Sequence, residues 1–307
     1  MNDSEFILAR KSQLPFYRDT PLYRRVEGNR FVLYKRSGQT LDGIRVGEHL
    51  HPIELFIKES DRIKGLQEAQ KEFNRQLEDQ VRKSDPDKVR EALVTIVEET
   101  LSEPRSGSLE GFSNTMDVMV SDYCRESGVV ESLIGMARVD YTTIVHCINV
   151  MAFSLGYAFF MRYSRGRSKE LGLCALLHDV GKTQIDPHIL IAPRRLTESE
   201  FDEVKKHPTL GYEILSKCSF DSRDIAVCAL DHHETIDGNG YPEGKTQIPQ
   251  AAQIIGIIDS YEALTNDDRP YRRSASPYGA LSMVGAEVQK GRYDKEIFES
   301  FVRSLSM

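Results

Sequence analysis

Two kinds of hydrophobic spacing divide this chain. Over about the first 60 residues, short apolar runs, FILAR (6–10), RFVLYK (30–35) and ELFI (54–57), alternate with turn-rich pieces such as RSGQ and LDG. That spacing predicts a small β-rich module. From Ser60 to Lys83 the composition becomes polar, and Ile63, Leu66, Phe73, Leu77 and Val81 recur mostly at three- and four-residue intervals, the period of one helical face. Fewer than four heptads are present, so the stripe suits packing on its own domain better than a helix pair between chains; a homodimer is the alternative. Ser84-Asp85-Pro86 is a helix start. From there to the C-terminus the pattern is helix after helix with short connections. Thr197-Glu198-Ser199-Glu200 is a capping box and Ser276-Pro277 opens a further helix. The expected fold class is mainly α, an all-helical bundle over residues 84–307 behind a small N-terminal β-containing (α+β) domain over residues 1–83.

Composition agrees with that division. The 307 residues, 40% hydrophobic, can bury a real core and have room for about two domains. Five cysteines (Cys124, Cys147, Cys174, Cys218, Cys228), odd in number and without a C-x-x-C pair, fit reduced thiols of a cytoplasmic protein. The start, MNDSEFILARK, lacks the basic and apolar regions of a signal peptide. The most apolar segment, Ile148 to Met161, is interrupted by Asn149, Ser154 and Gly156, so a soluble protein without a membrane span is expected. Net charge is −7 and no Lys/Arg stripe with interleaved aromatics occurs, which argues against a nucleic-acid polymer as partner. An anionic substrate would have to be met locally, by cations held among carboxylates and imidazoles.

The sequence contains such a set. His178-Asp179 closes the apolar run LGLCALLHDVGK, setting a nitrogen and an oxygen ligand side by side. A lone His-Asp pair is weak evidence. It is joined by His146 upstream, His207 in VKKHPTLGYEIL, His232-His233 in ALDHHETIDGNGYP and Asp259 in IIGIIDSYEALT. A divalent metal usually takes about four to six ligands, so five imidazoles and two carboxylates suggest two ions sharing a carboxylate. Asp179 is the natural bridge. His146, His178, Asp179 and Asp259 group on one ion; Asp179, His207, His232 and His233 on the other. Such a pair suits phosphoester hydrolysis by a bridging hydroxide, without a covalent intermediate. Lys182 is placed to reach a phosphate oxygen. His49, His51 and His188 belong to no such pattern and read as surface or packing residues, and Asp237-Gly238-Asn239-Gly240 reads as a tight turn.

Read together, these segments resemble the HD-GYP family of HD-superfamily phosphohydrolases. HDVGKTQIDPHIL (178–190) is similar to the family's HD-x-G-K segment and RLTESEFDEVKKHPTLGYEIL (195–215) to its H-P-x-x-G segment. HHETIDGNGYP (232–242) resembles its H-H-E-x-x-D-G-x-G-Y-P signature, and IIDSYEALTNDDRPYR (257–272) its D-x-x-x-A-L-T then R-P-Y segment. The resemblance runs from about residue 137 to 303 and implies an HD-type helical bundle. It implies a metal-dependent phosphodiesterase hydrolysing cyclic di-GMP to the linear dinucleotide, in some members on to GMP. The implied ligands are the seven grouped above. It gives Asp179 and Lys182 the catalytic positions, Lys182 a substrate phosphate, and Arg269 a place in the R-P-Y segment with its role open. Gly240-Tyr241-Pro242 is similar to a loop that contacts partner proteins such as diguanylate cyclases. Iron is the expected metal, with manganese, zinc or nickel also accommodated by this ligand set.

Four departures stand against the pattern. Thr142, one turn before His146, occupies the place of a glutamate that helps hold a third metal in a subset of the family, which favours two metals here. Thr235 replaces a basic residue after H-H-E, Asp186-Pro187 inverts the usual Pro-Asp order, and one extra residue separates Ala263-Leu264-Thr265 from Arg269-Pro270-Tyr271. These motivate two alternatives: a metal-retaining cyclic di-GMP sensor with weak turnover, and a phosphohydrolase acting on another phosphoester.

Overall fold

The computed structural model describes residues 5–27, 30–41, 51–126, 128–135, 142–192, 194–266 and 275–306. The chain forms two compact units, Met1–Gln76 and Leu77–Met307. In the first, β1 (Phe6–Leu8), β2 (Leu22–Val26), β3 (Arg30–Lys35) and β4 (Phe56–Lys58) make an antiparallel sheet in the order β1-β4-β2-β3. Three of these strands coincide with the apolar runs read from the sequence. β2, LYRRV, escaped that reading because two arginines interrupt it; its register with β3 carries a bulge at Leu22/Tyr23. The core of this unit gathers Leu14, Tyr17, Leu22, Leu55 and Ile57. Lys35 is buried, and its ammonium is satisfied by the carbonyls of Arg18, Arg36 and Gln39 at 2.9–3.2 Å.

Helix α1 (Arg62–Arg82) follows, and the division between the units falls inside it. Its stripe faces inward: Leu66, Phe73, Leu77 and Val81 are all buried within the chain. That is the packing expected of a stripe too short for a coiled coil. Glu68 ties the preceding loop to the helix, accepting from the Arg18 and Asp19 amides and the Thr20 hydroxyl.

The second unit is helical. It comprises α2 (Pro86–Leu101), α3 (Phe112–Met119), α4 (Asp122–Glu126), α5 (Val129–Gly135), α6 (Thr143–Phe160), α7 (Arg165–Leu177), α8 (Pro187–Leu190), α9 (Glu198–Val204), α10 (His207–Leu215), α11 (Asp224–Asp231), α12 (Gln250–Thr265), α13 (Pro277–Gln289) and α14 (Lys295–Ser304). No strand occurs among its described residues. The helix starts read from sequence are used: Asp85 caps α2, Thr197 and Glu200 form the reciprocal capping box of α9, and Ser276 caps α13. Each side-chain oxygen satisfies an amide that has no partner within its helix. Helix α6 is central and packs on α2, α5, α7, α12 and α14. Among the described residues it is the one helix long and apolar enough to cross a membrane, with mean hydropathy 1.5, yet 72% of it is buried inside the chain. Its apolarity is that of a core helix. Cys124, Cys147, Cys174 and Cys228 are buried free thiols and Cys218 is partly exposed.

Candidate metal centre

Five helices deliver the candidate ligands by their ends or their inner faces. His146 sits in the first turn of α6, whose cap is Thr142; the Thr142 hydroxyl accepts from the Val145 amide at 3.2 Å. His178 is the residue that ends α7, and Asp179 leads into a 3-10 turn, Val180–Gln184. His207 opens α10, His232 ends α11 with His233 next in the chain, and Asp259 lies on the buried face of α12. Helix ends suit this task, since a side chain there can swing across the axis without meeting the next turn. The 3-10 turn and α10 approach so closely that a Cβ on Gly181 would lie 2.0 Å from the His207 carbonyl oxygen. Only glycine lets the Asp179 segment come this near to the helix carrying His207.

The side chains of all seven sequence-predicted ligands meet in one cluster. Donor atoms of His146, His178 and Asp179 lie within 4.8 Å of one another, as do those of His207, His232 and His233. Asp179 stands between the sets. Its Oδ2 is 3.6 Å from His146 Nε2 and 3.5 Å from His178 Nε2, and its Oδ1 is 3.2 Å from His207 Nε2 and 3.9 Å from His232 Nε2. Asp259 Oδ1 lies 3.0 Å from His146 Nε2, while its Oδ2 is 4.0 Å from His233 Nδ1.

The hydrogen bonds on the far side of the rings say what this cluster is suited to hold. Nδ1 of His178, His207 and His232 each faces a backbone carbonyl three residues earlier, those of Ala175, Val204 and Ala229, at 2.6–2.9 Å. A carbonyl only accepts, so each Nδ1 carries the proton and each neutral ring turns an Nε2 lone pair inward. His146 Nδ1 faces the Glu262 carboxylate at 2.5 Å, with the same consequence. Two pairs of lone pairs then confront one another: His146 Nε2 and His178 Nε2 at 3.2 Å, and His207 Nε2 and His232 Nε2 at 3.3 Å. Neither member of a pair has a proton to donate. Asp179 Oδ1 is buried without a hydrogen-bond partner although His207 Nε2 lies 3.2 Å away, in keeping with a ring nitrogen that has no proton to give. Converging lone pairs and an orphaned carboxylate oxygen are a poor hydrogen-bond network and a good cage for cations. The residues therefore fit a pair of metal ions.

Electrostatics point the same way. Burial keeps the His178 and His232 rings neutral by pushing their pKa down, and takes that of His233 down to about 3. Burial alone would push the Asp179 carboxyl up, but the Lys182 ammonium paired with it holds it well below the usual range. The Asp259 carboxyl is likewise held below its usual range despite burial, with His146 Nε2 lying 3.0 Å from its Oδ1. Neutral imidazoles and ionised carboxylates are the forms that bind metals.

Of the remaining residues singled out in the sequence, Lys182 pairs its ammonium with Asp179 Oδ2 from the edge of the cluster. Tyr241 stacks on His233 with ring centroids 4.6 Å apart, and its amide donates to the His233 carbonyl at 3.2 Å. The loop bearing it is held by Glu234, whose Oε1 accepts from the Glu243 and Gly244 amides. Gly240 is pressed against the backbone of His233, Glu234 and Thr235, where a Cβ would fall 2.5–2.6 Å from main-chain atoms. Thr235 is buried and donates to Asp237 Oδ1, which also receives the Asn239 amide. Asp237 thus organises the turn, and the Asn239 side-chain amide on its Oδ2, with the two bonds to Oδ1, lowers its carboxyl to about 2. His188 is exposed and His51 bonds Tyr34. Arg269, Pro270, Tyr271 and His49 lie outside the described residues.

Sequence reading passed over Glu262. It is buried on α12 one turn beyond Asp259, bonded to His146 Nδ1 and, through Oε1, to Asn149 and Asn266 amides at 2.8 and 2.9 Å. A signal was present: a glutamate three residues after a candidate ligand, in an otherwise apolar helix, lies on the ligand's face.

Comparison with known proteins agrees with this geometry. The family model described as HD domain matches residues 149–297. Cyclic di-GMP phosphodiesterase PA4108 of Pseudomonas aeruginosa is 32% identical over 197 residues, 64% of this chain and 47% of that protein. The cyclic di-GMP phosphodiesterase response regulator RpfG of Xanthomonas campestris is 38% identical over 162 residues, 52% of this chain and 40% of that protein. The chain thus spans less than half the length of these relatives. Among solved structures, Bd1817, an HDG"Y"P protein from Bdellovibrio bacteriovorus, has a similar fold, with a TM-score of 0.61 and 16% identity over 99% of this chain and 100% of that one. Residues 149–297 thus match the HD domain, the same helical unit is similar to relatives named cyclic di-GMP phosphodiesterases, and the fold is similar to that of an HDG"Y"P protein.

Proposed function

We propose that this chain is a metal-dependent phosphodiesterase that hydrolyses cyclic di-GMP to the linear dinucleotide at a two-metal centre. The observation that carries the reading is the pair of inward-facing Nε2 couples on either side of Asp179. His146, His178, Asp179 and Asp259 would hold one ion and Asp179, His207, His232 and His233 the other. When bound, two divalent ions supply Lewis-acid charge for the phosphoryl oxygens and an activated water at neutral pH.

The protein's part is to hold geometry and charge. Asp179 spans the two halves with its two oxygens, and the backbone carbonyls behind three of the rings fix the tautomer that binds. Burial keeps the His178 and His232 rings neutral and excludes bulk water. Lys182, at the rim beside Asp179, is the group placed to meet a substrate phosphate. Iron is the metal we favour, and a preparation purified without air that contains none by elemental analysis would overturn that choice. The Gly240–Pro242 loop is a surface for a partner such as a diguanylate cyclase, and the reduced thiols suit the cytoplasm.

The test is Asp179→Ala. The variant should lose metal and hydrolysis together, followed by elemental analysis and chromatographic detection of linear dinucleotide. Full hydrolysis by this variant sinks the assignment. A second reading, a metal-holding sensor of the nucleotide with weak turnover, is favoured by Thr235, which is buried and turned toward Asp237 and so adds no positive charge beside the centre. Steady release of product from metal-loaded wild type excludes a pure sensor.

A further inference from the structure

We infer that the two halves of this centre load unequally, the His146 half first, and that Glu262 sets the difference by acting through His146. The inference rests on the two-metal reading proposed above and deepens it.

The halves differ in formal charge. Around the first stand two candidate carboxylate ligands, Asp179 Oδ2 and Asp259 Oδ1, within 3.6 Å of His146 Nε2. Around the second, only the shared Asp179 among the described residues offers an oxygen at close range, since Asp259 Oδ2 is 4.0 Å from His233. An extra anionic oxygen against a dication in a buried site favours the first half.

The halves differ again behind the rings. His207 and His232 donate from Nδ1 to neutral carbonyls, those of Val204 and Ala229. His146 donates to a carboxylate, 116 residues away in the chain and 2.5 Å away in space. A charged acceptor pulls the Nδ1 proton harder, which raises electron density at Nε2 and strengthens the bond that nitrogen makes to a cation. The carboxylate cannot drift to another partner, because its second oxygen is gripped by Asn149 and Asn266. Two helices share this construction: α6 carries ligand His146 and clamp Asn149 one turn apart, and α12 carries ligand Asp259 and clamp Glu262 one turn apart. Glu262 touches neither substrate nor metal in this scheme. It is a positioning residue.

The experiment is a calorimetric titration of the metal-free full chain with Zn2+. Wild type should show two classes of site, one equivalent each. Glu262→Gln, which keeps size and an acceptor while removing the charge, should weaken the tight class by about 10- to 100-fold and leave the weak class in place, the range for removing the carboxylate behind a histidine ligand. His207→Ala should abolish the weak class and retain the tight one, and His146→Ala should do the reverse. Two equivalents of one affinity in wild type, a tight class that survives Glu262→Gln unchanged, or retention of the tight class in His146→Ala would each overturn the inference. Wild type taking up no more than one equivalent would overturn the two-metal reading itself, a result distinct from two equal sites. The wild-type and His207→Ala titrations decide the order of loading whether or not the Glu262 variant folds.

Discussion

Gly181→Ala should force apart the two backbones that meet beside Asp179 and His207. An added Cβ would fall 2.0 Å from the His207 carbonyl oxygen, 2.5 Å from the Gly211 amide nitrogen and 2.9 Å from the His207 carbonyl carbon. Comfortable contacts begin nearer ~3.5 Å, and all three obstacles are backbone, so the 3-10 turn and the start of α10 must part by roughly 1.5 Å. Asp179 is two residues before Gly181 and His207 is the obstacle itself, so the separation falls on the pair whose Oδ1 and Nε2 are 3.2 Å apart. Metal sites tolerate ligand displacements of about 0.2 Å. Overpacking of this kind costs about 1–3 kcal/mol, only partly offset by the ~0.4–1 kcal/mol an alanine gains by restricting the unfolded chain. The variant should lower the urea midpoint of the metal-free protein and lose metal, as read by elemental analysis after dialysis. Gly211→Ala is the control. Its Cβ would meet Gly181 nitrogen at 3.4 Å and Ala229 Cβ at 3.5 Å, ordinary contacts, and in the middle of α10 alanine gains ~1 kcal/mol in helix propensity. Equal stability and full metal content in Gly181→Ala, or equal losses in the two variants, would refute the close-approach argument.

Acid should destabilise the metal-free protein in a defined window. Burial lowers the pKa of His178, His232 and His233 in the folded state, whereas the unfolded chain takes up those protons near pH 6.5, so stability falls as pH drops below that value. Each ring contributes a slope of about 1.4 kcal/mol per pH unit. Asp179 and Asp259, whose folded pKa values are depressed, contribute stability that is fully present above about pH 4 and is lost only below it, outside this window. Urea midpoints that stay level from pH 7 to 5 would contradict the burial argument. Tyr241→Ala should weaken the half of the centre that includes His233, while Tyr241→Phe, which keeps the 4.6 Å stack, should not. Equal metal affinities of the two variants in the Zn2+ titration would show that stacking does not hold the ring.

Much of the architecture was legible because the signals are local. Asp85, Thr197 and Ser276 announce helix starts within a few residues of themselves, and each caps the helix it announces. β2 was missed for a local reason too: Arg24 and Arg25 break the alternation that marks a half-buried strand, and its pairing partners on both sides decide the conformation. At the candidate centre, histidines and aspartates with no local explanation stood out against apolar helices. Glu262 did not, since one glutamate in a helix is ordinarily a solvated charge and becomes a positioning group only when another helix is laid against it.

By itself the sequence determined which residue types are available and where the helices end: a histidine and an aspartate at the end of α7, a histidine pair at the end of α11, a glycine after the aspartate. It also carried a resemblance to the HD-GYP family, because those types recur in order at characteristic spacings. Tertiary structure decided what the spacings leave open. Which oxygen of Asp179 faces which pair of rings, which nitrogen of each imidazole is protonated, and that Glu262 backs His146 all depend on distances between atoms far apart in the chain. Those distances are fixed by packed helices, and at Gly181 by two backbones brought closer than any side chain would allow.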